Sequence, residues 1–256
     1  MHQFKMTVSF LLTKSVKSAL KTSRAFVLFA LCAILFNVVG IANALPPPHI
    51  EIVFEVKMGG MKLGQGVDRI THDSKSYSIT SQTIPKGLAS LFLDEVIRKS
   101  EGEIVAKGLT PSAFSEIGNK KKGDSSALFD WSNKVVTLKT TQFETVVPFK
   151  ERAADQAILP YLNAFRENII NNEIIYVTDG RRIKRYQYER LQDDTLTTSL
   201  GKLKVAHFRK VVADDKERQF EFWLAHDHHL LPVKLMFVDK KGRTIESNVL
   251  KLEIKP

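Results

Sequence analysis

The chain is 256 residues long, carries 38 lysines and arginines against 28 acidic residues (formal net charge +10), and has one cysteine. That length supports one sizeable core and hardly two, and a lone cysteine excludes an internal disulfide framework. Five basic residues fall in the first 44 positions, which hold no acid, so the remainder carries 33 basic against 28 acidic residues; these are interspersed rather than gathered with aromatics, which argues against nucleic acid and leaves anionic lipid or glycolipid surfaces as partners.

Lys5, Lys14, Lys17, Lys21 and Arg24 precede the apolar run AFVLFALCAILFNVVGIA (25–42), and Ala42-Asn43-Ala44 closes it with a small-x-small pattern. This predicts an export signal, residues 1–44, cleaved after Ala44. An uncleaved anchor is the alternative, because the run is near the shortest length that spans a bilayer; membrane association would then come only through that N-terminal segment. Leu31 before Cys32 is too large for a lipidation site. The mature chain, 45–256, would be one cysteine-free domain of the kind a bacterial periplasm tolerates.

In chain order, HIEIVFEVK sets Ile50, Ile52, Phe54 and Val56 against Glu51, Glu55 and Lys57, the period-two signature of a half-buried strand. Gly59-Gly60 predicts a tight turn, and MKLGQGVDRITHD a returning strand with bends at Gly64 and Gly66. KSYSITSQT is a third strand. IPKGLASLFLDEVI (84–97) breaks the alternation and predicts a short helical turn or a lid. Further strands follow through 127–140, which turns at Ser132-Asn133. In ERAADQAILPYLNAFRE (151–167), Ala154, Ile158, Leu162 and Phe165 recur at helical spacing, predicting one central helix started or kinked by Pro160. Asp179-Gly180 predicts a hairpin, and the C-terminal segments read as strands with a turn at 240–243. The expected fold is mainly β: ten to twelve strands in a large curved antiparallel sheet or half-open β-barrel.

The candidate sites are few. His226, Asp227, His228 and His229 have the atoms of a metal site, with His207 as a further imidazole, but a polar turn offers no second shell to orient the rings; an exposed hairpin turn is the expected reading. The acidic pairs Asp94-Glu95, Asp193-Asp194 and Asp214-Asp215 fall at turns. No nucleophile-elbow, zincin or phosphate-loop motif occurs, so catalytic residues and cofactors are not expected. RRIKRYQYER (181–190) reads as a strand with one wet face, its long cations covering apolar surface; the alternative is that its arginines, with Tyr186 and Tyr188, hold an anionic head group or a sugar. Trp131, Trp223, Phe129 and Phe222 read as core packing or as the wall of an apolar cavity.

SEGEIVAKGLTPSAF (100–114), LFDWSN (128–133), DQAILPYL (155–162), YQYERL (186–191) and WLAHDHHLLPVKLMF (223–237) resemble, in that order, the DUF3108 proteins. That resemblance implies an exported, β-rich protein of the Gram-negative envelope. A fainter likeness joins the last 35 or so residues to the tail of LolA/LolB-type lipoprotein carriers, and implies a half-open barrel that holds acyl chains. The leading expectation is therefore a periplasmic, non-enzymatic protein that binds an apolar or amphiphilic molecule, a lipid or acyl chain, in the concavity of its sheet. The alternatives are a filled barrel that binds envelope proteins through an edge strand such as 181–190, and a hydrolase that joins at least two of Asp130, Asp155, Asp227 and His207.

Overall fold

The computed structural model describes residues 45–150, 152–213 and 217–255. The expected leader and its cleavage point after Ala44, and the pair Asp214-Asp215, lie outside the described residues.

The described chain is built of strands joined by tight turns. In order they are β1 (His49–Met58), β2 (Met61–His72), β3 (Ser76–Pro85), β4 (Val96–Val105), β5 (Gly108–Ile117), β6 (Ser125–Asp130), β7 (Val135–Thr140) and β8 (Glu144–Pro148). The second half adds β9 (Arg152–Asp155), β10 (Asn172–Thr178), β11 (Ile183–Arg190), β12 (Asp194–Thr198), β13 (Gly201–Lys210), β14 (Gln219–Ala225), β15 (Leu231–Val238) and β16 (Thr244–Lys255). Sixteen strands exceed the ten to twelve expected, because short pieces such as β8, β9 and β12 carry too few residues to show a period.

Alternation explains the long strands. Ile50, Ile52 and Phe54 are buried on one face of β1, as successive side chains point to opposite faces. Gly59 and Gly60, both at positive φ, make the turn into β2. The expected bend near Gly64 is a break in register between Val56 and Lys57, where Gly64 and Lys62 pair with successive residues of β1. A Cβ at Gly64 would strike the Ile84 carbonyl of β3, so this position admits only glycine.

All sixteen strands belong to one sheet, in the order β8-β7-β6-β5-β4-β3-β2-β1-β16-β15-β14-β13-β11-β10-β9, with β12 beside β13. The first and last strands therefore meet in the middle, His49 opposite Lys255 and Met58 opposite Ile245. All pairings are antiparallel except that of β9 with β10. The sheet stays open, with β8 and β9 as its edges. It curls until side chains bridge the gap: Arg152 donates to the carbonyls of Lys107 and Leu109, and Ser100 Oγ to Asp155 Oδ2 at 2.6 Å. Farther along the seam, Ser125 Oγ donates to the Asp179 carbonyl.

The expected central helix is absent: no α-helix occurs among the described residues. Residues 152–167 form instead the edge strand β9, a single 3-10 turn at Leu159–Tyr161 and irregular chain around it. Ala154, Ile158, Leu162 and Phe165 are buried as their spacing implies, but Ala153, Ala157, Leu159, Tyr161 and Ala164 between them are buried as well. The segment is threaded through the concave side of the sheet, so residues all round it are buried, the polar Asp155, Asn163 and Arg166 included. The Asp155 carboxylate accepts the N–H groups of Ala157 and Ile158, a local turn that competes with helix, and Pro160 follows. This plug is pinned to the sheet by Tyr161, whose hydroxyl donates to Asp68 Oδ2 at 2.5 Å, and by Arg166, bidentate to Glu173 at 2.8 Å.

Candidate functional site

Between the plug and the sheet the concavity is incompletely filled. A cavity of about 540 Å³ remains, within the range of ligand pockets. Its floor is apolar: Phe54 and Val56 of β1, Leu159 and Pro160 of the plug, Phe220 of β14 and Leu235 of β15 line it. Its other lining residues include seven cations, Arg98, Lys122, Arg181, Arg182, Lys184, Lys210 and Arg218, against three acids, Asp68, Glu116 and Asp179. The sheet parts beside it. β11 pairs with β13 only at Tyr188–Arg190, so the stretch carrying Lys184 and Tyr186 stands away from β13 and flanks the cavity.

The acids of this site are spoken for. Burial works to raise the Glu116 carboxyl, but Arg98 at 2.7 Å and Arg181 at 2.9 Å outweigh it and hold it below the usual glutamate range. Asp179 accepts the backbone N–H groups of Arg181 and Arg182. Asp68, fully buried, has its pKa pushed up by burial, which favours the neutral form. Arg181 also donates to the Gly123 carbonyl, and its Nε is buried with no acceptor among the described residues. The site thus sets a greasy floor beneath an excess of positive charge, which suits an anionic group on an apolar tail.

The residues singled out in the sequence are placed elsewhere. None of Trp131, Trp223, Phe129 and Phe222 lines this cavity. Phe222, buried, stands behind its wall, 5.7 Å from Phe220 and 5.9 Å from Tyr188, centroid to centroid. Trp223 faces the other side of β14, stacked on His207 at 4.2 Å beneath Lys234. Phe129 stacks on Trp131, which packs edge-on to Phe149 and donates its Nε1–H to the Pro111 carbonyl at 2.7 Å. Trp131 also borders a wide groove at the opposite end of the sheet, beside His72, Tyr77 and Glu101.

His226 to His228 form a 3-10 turn between β14 and β15, and His229 ends it in the left-handed conformation. His226 bonds Asp193 at 2.9 Å, whereas His207 bonds Glu221 at 2.7 Å. Among the described residues no three metal-binding side chains converge. Asp130 binds Asn133 and Asp155 binds Ser100; neither joins Asp227 or His207. Residues 84–97 contain a 3-10 turn, Gly87–Leu91, with no buried residue, so this segment does not close the cavity as a packed lid. The 181–190 segment, expected as an edge, is internal: β11 lies between β10 and β13. Sequence reasoning missed Arg98 and Phe220 as cavity residues. RRIKRYQYER was the available signal: Arg181 and Arg182 before β11 and Lys184, Tyr186 and Tyr188 within it line the cavity, while Arg185 and Gln187 on the alternate face stay exposed.

The family model described as "Protein of unknown function (DUF3108)" matches residues 53–247. The chain belongs to the DUF3108 family. No curated protein is significantly similar to it. Among solved structures, this DUF3108 chain resembles a beta-barrel-like protein of the domain of unknown function DUF1849 from Brucella abortus, with a TM-score of 0.53, 10% identity, and 83% of this chain and 100% of that one covered; the likeness is one of fold. Looser matches are a chain described as a lipoprotein from Parabacteroides distasonis (TM-score 0.29, 12% identity, 82% and 97% covered) and one described as an outer membrane lipoprotein-sorting protein domain from Vibrio parahaemolyticus (TM-score 0.22, 11% identity, 81% and 84% covered). Those two superpositions are too loose to bear on the fold or function of this DUF3108 protein.

Proposed function

We propose that this protein is a non-enzymatic carrier or receptor of an anionic amphiphile, held in the inner cavity with its tail on Phe54, Val56, Phe220 and Leu235 and its head among Arg98, Arg181 and Arg182. The observation that supports this most directly is the change of lining within one cavity, from apolar floor to an excess of cations. Each methylene moved from water onto that floor contributes about 0.8 kcal/mol. Charge-assisted bonds from the arginines would then select carboxylate, sulfate or phosphate heads over neutral ones. Trp131, Trp223, Phe129 and Phe222 take a supporting part in this reading, Phe222 by fixing the rings of Phe220 and Tyr188. The reading places the protein in the periplasm, after removal of residues 1–44, where envelope lipids and lipoprotein acyl chains are the available amphiphiles. An intact mass of the exported protein beginning at Leu45 checks the cleavage.

The test is titration of delipidated protein with a fluorescent fatty acid, then displacement by alcohols and acids of the same chain length. Saturable binding in the micromolar range is expected, with acids displacing better than alcohols, and with that preference reduced in Arg182→Glu. Absence of saturable binding, or equal displacement by acid and alcohol, removes the proposal.

A further inference from the structure

The connection between β3 and β4 carries the most exposed apolar side chains among the described residues: Leu88, Leu91 and Phe92 are 81%, 71% and 84% exposed, and Leu93 beside them is 45% exposed. Consecutive large apolar residues held in water mark a contact surface rather than an accident of folding. Their surroundings say what the contact is. Asp94 accepts the backbone N–H of Lys120 at 3.1 Å, which ties this connection to the loop bearing Lys120, Lys121 and Lys122. Lys86 precedes it, anchored at Gln65 by its ammonium and at Leu63 by its backbone N–H. The turn with Lys240 and Lys241 lies at the same end of the sheet, because the Gly59 N–H donates to the Thr244 carbonyl. All six lysines are exposed. The nearby acids are held in local bonds: Asp94 accepts from Lys120, the exposed Glu95 from Gln82, the exposed Asp124 from the Gly118 N–H, and Asp239 from the backbone of Lys241 and Arg243. Lys122 also lines the inner cavity, so the cavity lies at this same end.

We propose that this end of the protein docks on the surface of an anionic phospholipid bilayer, with Leu88, Leu91 and Phe92 inserted among the acyl chains and the surrounding lysines on lipid phosphates. Apolar side chains ringed by lysines match both layers of such an interface, the acyl boundary and the negative surface. A protein partner would have to supply an acidic rim around an apolar socket; a bilayer of anionic lipid has that arrangement everywhere. Docking in this pose sets the cavity near the lipid, whether or not the cavity takes a ligand from it.

The test uses the full chain with Cys32→Ser and one new cysteine, carrying an environment-sensitive dye, at Phe92→Cys or, as a control at the opposite end of the sheet, at Ser74→Cys. A probe at a single position reads insertion there, whatever the N-terminal segment does. With vesicles of phosphatidylglycerol and phosphatidylethanolamine, the dye at 92 is expected to shift to the blue and to be quenched by spin-labelled acyl chains, and the dye at 74 to do neither. Replacing Lys121, Lys240 and Lys241 by glutamate should weaken the response about tenfold or more, since each lysine at an anionic surface strengthens partitioning several-fold. The proposal is overturned if the dye at 92 responds equally to pure phosphatidylcholine, if it stays unshifted and unquenched, or if it shifts without lipid as protein concentration rises, which would seat a second copy on this surface. Fatty-acid binding is read separately, so either result stands without the other.

Discussion

Tyr161→Ala should lower unfolding stability by about 3–5 kcal/mol, the range for truncating a large aromatic in a core, and should raise solvent access to the whole concavity. Tyr161 is completely buried and is among the largest fully buried side chains of the protein. Its ring fills space that the plug cannot close from elsewhere, because the segment is not a helix and has no regular neighbour to shift into the gap. Its hydroxyl is bonded to Asp68, so Tyr161→Phe leaves a buried carboxyl short of one partner and should cost less, about 1–3 kcal/mol. Denaturant unfolding followed by tryptophan fluorescence measures both. If the alanine variant were as stable as the parent, the plug would not be an integral part of the core, and the cavity would have no fixed floor.

Stability is expected to fall as pH rises from about 4 to about 7, and Asp155→Asn should flatten that slope. Burial pushes the Asp155 pKa from 3.8 up to about 7, against the hydrogen bonds from Ser100, Ile158 and Ala157 that favour the charged form. Below about pH 4 both folded and unfolded chains hold the proton, so nothing is lost. Between the two values the unfolded chain releases it while the folded chain keeps it, so unfolding becomes easier with each step, by on the order of 1 kcal/mol per pH unit for one group. Above about pH 7 the folded chain ionises too and the loss levels off. Asp68, also raised by burial, acts in the same direction, whereas Glu116, held low by Arg98 and Arg181, opposes them only at more acidic pH. Asparagine at 155 keeps an oxygen for the N–H groups of Ala157 and Ile158 and presents an N–H to Ser100. Chemical denaturation of parent and variant at several pH values checks the claim; identical slopes would remove Asp155 as the source.

These two residues join the seam and the plug, and they explain why the concavity holds a defined cavity rather than a collapsed core. Asp155 links β9 to Ser100 of β4 across the open side, with Tyr77 3.1 Å farther along. Tyr161 links the plug to β2. The arginines perform the same service at the margins: Arg152, whose pKa burial lowers to about 10 with Arg166 adding to the effect and Glu173 opposing it, bonds the carbonyls at 107 and 109. A sheet closed by side chains can widen at less cost than one closed by a backbone ladder.

How much of this was legible can be argued from particular elements. HIEIVFEVK declared its strand because water on one face and core on the other imprint a period of two. Gly59-Gly60 and Asp179-Gly180 declared their turns because few residues tolerate positive φ. Residues 151–167 misled for the converse reason: a segment buried on every side has no polar face to define a period, so apolar residues at helical spacing carried no information. Sequence alone could not assign the aromatic quartet to a wall, because burial says nothing about which face of a curved sheet a strand presents, and Phe220 and Phe222 cannot be told apart by composition. The exposed apolar loop was in plain view as GLASLFLD, yet only its exposure distinguishes it from core. The chain by itself determined its strands and turns, since these follow from local alternation and backbone freedom. Pairing β1 with β16, turning the tyrosine face of β11 inward and threading the plug through the concavity were decided only by tertiary structure, because they depend on contacts between residues far apart in sequence, which no local pattern encodes.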